Sequence, residues 1–94
     1  MTKVFYSQGA LADTERLAEF LLATDPRAAA ETGRILMEAI SMLSNHPLVG
    51  RIVESGLREL VISRGQSGYV ALYRFDADSD QVFILAIRHQ RELG

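Results

Sequence analysis

The residues best equipped for chemistry in this chain are two histidines and a group of arginines. His89 stands between Arg88 and Arg91. An imidazole titrates close to neutral pH and can act as general acid or base, and guanidinium groups can stabilise charge on a phosphate. Arg58, Arg74, Arg88 and Arg91 are the candidates for that second role, with His89 for the first. His46 precedes Pro47 and reads as a loop or capping residue. Two distant histidines without a third ligand make no metal site, and with no cysteine there is no thiolate to bind zinc or act as nucleophile. No serine sits in a G-x-S-x-G elbow, and neither a P-loop nor a dinucleotide-binding glycine pattern occurs. The acids of Asp76–Asp80 resemble half a calcium loop but lack its glycine and distal glutamate, so they read as a hairpin turn. No cofactor is expected.

These residues must be placed by a small scaffold. Ninety-four residues suffice for one domain with one core, and 48% hydrophobic and 23% charged residues fit a globular chain. No apolar run is long enough to span a bilayer, the N-terminus does not read as a signal peptide, and a cytoplasmic location is the default expectation. The net charge of −2 argues against a general polyanion binder. Residues 1–50 carry four basic and six acidic side chains, and residues 51–94 carry six of each. All six basic residues of the second half are arginines, whose rigid forks suit specific polar recognition.

Hydrophobic periodicity predicts a short strand at Lys3–Tyr6 and a helix over 8–24, with Leu11 and Leu17 on its apolar stripe. Asp25-Pro26 reads as an N-cap and first helical residue, opening a second helix that runs to about Ser44 with Ile35, Ile40 and Leu43 on its stripe. Ser44-Asn45-His46-Pro47 stops it, and His46–Gly56 reads as a loop. Leu57–Ser63, Tyr69–Phe75 and Gln81–Ile87 follow as strands of an antiparallel meander, joined by short polar turns. The expected architecture is α+β, in the order β-α-α-β-β-β, with a helical hairpin packed on a four-stranded, mainly antiparallel sheet.

Strand side chains alternate faces, so Arg58 groups with Leu60 and Ile62, and Tyr73 with Tyr69, Ala71 and Phe75. Simple alternation groups Arg88 with Val82, Ile84 and Ala86. A sheet face carrying arginine and tyrosine could bind phosphate, stack bases or bind an acidic protein segment.

Taken in order, the short first strand, the helical hairpin, HPLVGR, GLRELVI, YVALYRF and VFILAIRHQRE resemble the RelE/ParE superfamily of type II toxin–antitoxin toxins over nearly the whole chain. The resemblance is closest to its ParE-like branch. It implies a toxin held inactive by a cognate antitoxin in a hetero-oligomer. The antitoxin's flexible segment would fold over the helices and the sheet edge, with Leu11, Leu17, Ile35, Ile40 and Leu43 lining its groove. RelE-like members cleave messenger RNA on the ribosome, whereas ParE-like members inhibit DNA gyrase. An arginine that RelE-like members place shortly before Tyr73 is Val70 here, and no tyrosine follows His89. The meander strands hold no lysine and the pI is 5.6. The resemblance therefore implies gyrase as target, with Arg58, Tyr73, Arg74, Arg88 and Arg91 as target-binding residues. Ribosome-dependent cleavage through His89, or an inactive homologue that only binds antitoxin, are the alternatives.

Overall fold

Two capping residues organise the helical layer. The Ser7 hydroxyl accepts the Ala10 N–H at 3.0 Å and opens α1 (Gln8–Thr24). Asp25 serves both helices. Its N–H donates to the Leu21 carbonyl at 2.7 Å, and its carboxylate accepts the Arg27 and Ala28 N–H groups at 3.2 and 3.3 Å. Pro26 then fills the first position of α2 (Pro26–Ser41), where its missing N–H costs nothing. With Asp25 alone between them, the helices fold back and pack on each other. A 3-10 turn, Met42–Ser44, ends the hairpin. Neither helix is long and apolar enough to cross a membrane.

The computed structural model describes residues 1–64 and 67–89, without the side chains of 63, 64 and 67. Five strands form one sheet in the order β1-β5-β4-β3-β2: β1 (Lys3–Tyr6), β2 (Arg51–Glu54), β3 (Leu57–Arg64), β4 (Ser67–Asp76) and β5 (Gln81–His89). β1 runs parallel to β5 and the other pairings are antiparallel. The α+β class and the helical hairpin on a mainly antiparallel sheet agree with the expectation, but the sheet has five strands and not four. The additional strand is β2, inside the segment that reads as a loop. All four of its side chains are exposed, so it has no alternation of burial to signal a strand. It pairs with β3 through a turn at Gly56, whose φ of +78° favours glycine.

Asp76–Asp80 is a hairpin turn. The Asp76 carboxylate accepts the Asp78 N–H at 3.1 Å, and Asp80, at φ 55°, accepts the Thr2 hydroxyl at 2.6 Å.

Opposed residues in an antiparallel pair share a face, so the register decides what lies under the helices. Arg58, Leu60 and Ile62 oppose Tyr73, Ala71 and Tyr69. Val82 and Ile84 oppose Phe75 and Tyr73. The register then slips at Leu72/Tyr73, and beyond the slip Ile87 and His89 oppose Ala71 and Tyr69. This bulge corrects the simple alternation: Ile87 and His89 follow Val82 and Ile84, while Ala86 and Arg88 lie on the opposite face. The core fills the space between layers, with Leu17, Leu36, Ile40 and Leu43 on Leu60, Ile62, Tyr69, Ala71, Tyr73, Val82, Ile84 and Ile87. Each Leu, Ile or Val among them contributes roughly 1.5–3 kcal/mol on burial. Thr32 of α2 is also buried, and its hydroxyl has no hydrogen-bond partner.

Candidate functional site

Tyr73 and Arg58, paired across β4 and β3, hold the loop before β2. The Tyr73 ring is completely buried, and its hydroxyl donates to the Pro47 carbonyl at 2.9 Å while accepting the Gly50 N–H at 2.8 Å. Burial pushes the phenol's pKa above the ordinary tyrosine value, partly offset by the Gly50 hydrogen bond and the Arg58 charge. Gly50 is the only residue type that fits there, since a Cβ would come within 2.6 Å of the Tyr73 ring and hydroxyl. Arg58 donates through Nη1 to the Leu48 and Gly50 carbonyls at 3.1 and 2.8 Å. Tyr73 therefore offers no surface to a target: its hydroxyl anchors the loop. Arg58 stays partly exposed in a cleft of 170 Å³ with Leu48, Ile52, Gly56, Leu57 and Phe75. Leu48 (58% exposed), Val49, Ile52 (64%) and Val53 extend this apolar surface into solvent.

The far end of the same face carries His89, half-buried, with its ring edge-on to Tyr69 at 5.2 Å. Tyr69 and Tyr73 are four residues apart on β4, so His89 and Arg58 are separated by about 13 Å along the strands and two strand spacings, about 10 Å, across them. Arg74 lies on the opposite face, over the Phe83 ring at 5.8 Å, and Phe83 stacks on Phe5. Arg88 is on that opposite face too and pairs with Asp13 of α1. Gln90 and Arg91 lie outside the described residues. The described arginines are thus not gathered around His89.

The strand end owes its geometry to α1. β1 stops at Tyr6, opposite Ile84, and α1 serves the edge of β5 beyond that point. The Ser7 N–H donates to the Ile84 carbonyl at 2.9 Å and the Ser7 hydroxyl to the Leu85 carbonyl at 3.2 Å. Asp13 Oδ2 accepts the Ile87 N–H at 2.9 Å as well as the Arg88 guanidinium, with Arg16 3.8 Å from its other oxygen. Nothing in the sequence singles out Asp13, one acid among several on the polar side of α1.

Other cations are matched by carboxylates: Arg34 with Glu38 at 3.0 Å and Arg51 with Glu59 at 2.8 Å. Among the described residues no cluster of His, Asp and Glu could hold a metal ion.

Of the expected groove residues, Leu17, Ile40 and Leu43 are buried against the sheet and Ile35 is partly buried, leaving Leu11 half exposed. The helices instead present Phe20, Leu22, Met37 and Met42 to solvent. A groove of 470 Å³ runs between β1 and the end of α2, lined by Val4, Phe5, Tyr6, Met37, Ile40 and Ser44 among others. Burial there raises the pKa of the Tyr6 phenol.

This two-layer fold has known counterparts. The sequence matches the family model for the ParE toxin of the type II toxin–antitoxin system parDE over residues 4–94. Toxin RelE1 of Caulobacter vibrioides is 42% identical over 79 residues, covering 84% of this chain and 85% of that protein. Among solved structures, the chromosomal ParDE toxin–antitoxin system from P. aeruginosa superimposes with a TM-score of 0.75 at 20% identity, over 95% of this chain and 96% of the other. The RelBE2 toxin–antitoxin complex of Mycobacterium tuberculosis gives 0.62 at 26% identity, over 95% and 98%. The chain belongs to the ParE toxin family, within the RelE/ParE superfamily of type II toxin–antitoxin toxins.

Proposed function

We propose that this toxin acts in the cytoplasm by binding a protein target, DNA gyrase, and that a cognate antitoxin neutralises it by covering the exposed apolar helix surface. The observation that carries the reading is the dispersal of the candidate catalytic groups among the described residues, which leave out Arg91. His89 and Arg58 stand at opposite ends of one face, and Arg74 and Arg88 lie on the other. Phosphodiester cleavage needs its acid, base and charge-stabilising groups within reach of one phosphate. The surface around Arg58 is apolar, from Leu48, Val49, Ile52 and Val53, which suits a protein partner better than a polyanion. Arg58 and Arg74 remain as target-binding cations, and the Arg88–His89 strand end as the second target-binding element.

The antitoxin surface follows from the same exposures. Its aliphatic anchors would wrap the helices, meeting Leu11 and Leu22 on one flank of α1, Phe20 on the other, and Ile35 and Met37 on the two flanks of α2, with an extended segment in the β1–α2 groove. Leu17, Ile40 and Leu43 support that surface from beneath.

Ribosome-dependent messenger RNA cleavage is the second reading, favoured by the 42% identity to a protein named Toxin RelE1. Purified, antitoxin-free protein assayed for gyrase supercoiling and, in parallel, for messenger RNA integrity during translation separates the two. Loss of supercoiling with intact message is expected. Cut message with normal supercoiling would overturn the proposal.

A further inference from the structure

We infer that Asp13 of α1 is a positioning residue for the functional strand end: its carboxylate stands in for the missing neighbouring strand beside Ile87 and aims Arg88 and His89. The inference rests on the reading that this strand end engages the target.

β5 has a β neighbour on both sides only as far as Ile84. Beyond that point one edge would leave backbone groups unpaired in a partly buried place, which costs about 1–3 kcal/mol per group. Helix α1 supplies the partners one by one. Ser7 satisfies the Ile84 and Leu85 carbonyls, and Asp13 Oδ2 satisfies the Ile87 N–H. The spacing fits α1 geometry: Ser7 is the N-cap and Asp13 lies about one and two-thirds turns further along the helix. Only a carboxylate or amide of that length reaches from the helix to the strand and can accept a hydrogen bond there.

The same carboxylate also takes the guanidinium of Arg88, the next residue along. The two bonds act on consecutive residues, whose side chains point to opposite faces. One ion pair therefore fixes the rotation of the strand about its own axis at the place where the bulge has just re-aimed it. With that rotation fixed, His89 is held edge-on to Tyr69 and Arg88 is held on the opposite face. The Asp13 side chain is only 13% exposed, so water competes weakly with these bonds. Asp13 also sits on the helix whose outer surface would carry the antitoxin, so the target-binding end and the antitoxin-binding helix share one carboxylate.

The test compares Asp13→Ala and Asp13→Asn in the full chain, expressed from a titratable promoter without antitoxin. Growth inhibition is read beside the thermal midpoint and backbone amide exchange of antitoxin-stabilised, then released, protein. Asp13→Ala is expected to lose at least tenfold in inhibitory potency and to speed exchange at Ile87 at least tenfold, while amides of β3 and β4 keep their protection. Asp13→Asn, whose side-chain carbonyl can still accept the Ile87 N–H, is expected to recover most of the exchange protection and part of the potency. A merely structural role would lower protection across the sheet together with the midpoint, and that result overturns the inference. Unchanged exchange at Ile87 in Asp13→Ala overturns it as well, as does wild-type potency with Ile87 opened. Arg88→Ala and His89→Ala distinguish failure of the underlying reading: if both keep wild-type potency, the strand end is not a target-binding element, whatever Ile87 shows.

Discussion

Replacing Tyr73 by phenylalanine removes one oxygen from a fully buried ring and disconnects a loop. That oxygen accepts the Gly50 N–H at 2.8 Å and donates to the Pro47 carbonyl at 2.9 Å. Gly50 is itself buried, so its N–H would be left without a partner at a cost of about 1–3 kcal/mol, and the lost bond to the half-buried Pro47 carbonyl adds about 1 kcal/mol. A total near 3 kcal/mol corresponds to a fall in melting temperature of roughly 12–24 °C for a domain of this size. Thermal and urea unfolding followed by circular dichroism measure it, with an unchanged urea slope confirming that compactness is kept. A fall of less than about 4 °C, which is below about 1 kcal/mol, would refute the anchoring role. Gly50→Ala probes the same joint from the other side, because its Cβ would lie 2.6 Å from the Tyr73 ring. Since both changes break one joint, their combined cost is expected to be well short of additive.

Three further outcomes follow from the structure. Thr32→Val replaces a buried, unpartnered hydroxyl by a methyl of similar size and is expected to raise stability by about 1 kcal/mol, read as a higher urea midpoint. Asp80→Ala loses the Thr2 hydrogen bond and puts alanine at φ 55°, for about 1–2 kcal/mol of destabilisation; Asp80→Gly, which relieves the backbone strain, is expected to cost less in the same unfolding assay. The Tyr6 and Tyr73 phenols have raised pKa values when folded. A raised phenol holds its proton more tightly in the folded state. Its contribution is therefore fully present below the ordinary tyrosine value near 10 and is lost as pH rises through the folded value. Stability is expected to fall above about pH 10, and less steeply in Tyr73→Phe, as followed by unfolding across alkaline pH.

Much of the scaffold was legible because its signals are local. Ser7 and Asp25-Pro26 carry their capping chemistry in the residue types themselves, and the meander strands alternate or run apolar. β2 was not legible, because an edge strand with every side chain exposed has no buried period to show. The bulge on β5 was hidden for a different reason. An extra residue changes facing without changing composition, and VFILAI is apolar throughout. Tyr73 illustrates the limit for single residues, since a tyrosine at an alternating strand position reads the same whether its hydroxyl meets a partner protein or a buried loop. Periodicity is also silent about which apolar residues stay exposed. The apolar stripe of a helix marks the side that faces its own core, so it selected Leu17, Ile40 and Leu43. Phe20 and Met37, which the fold leaves exposed, lie off that stripe.

The pairing of β1 with β5 has a consequence for how the toxin comes into being. β5 joins residues 3–6 to β4 and forms the floor beneath α1, yet it is the last of the five strands to be synthesised. Until it leaves the ribosome, β1 has no neighbour in the sheet, and α1 lacks the strand to which Ser7 and Asp13 bond. Contacts spanning almost the entire chain form late, after the loop they close has been made. The nascent polypeptide therefore passes through most of its synthesis with β1 unpaired and the Arg88–His89 strand end not yet made. The groove between β1 and α2 and the Arg88–His89 strand end are thus completed in one step, with the last strand.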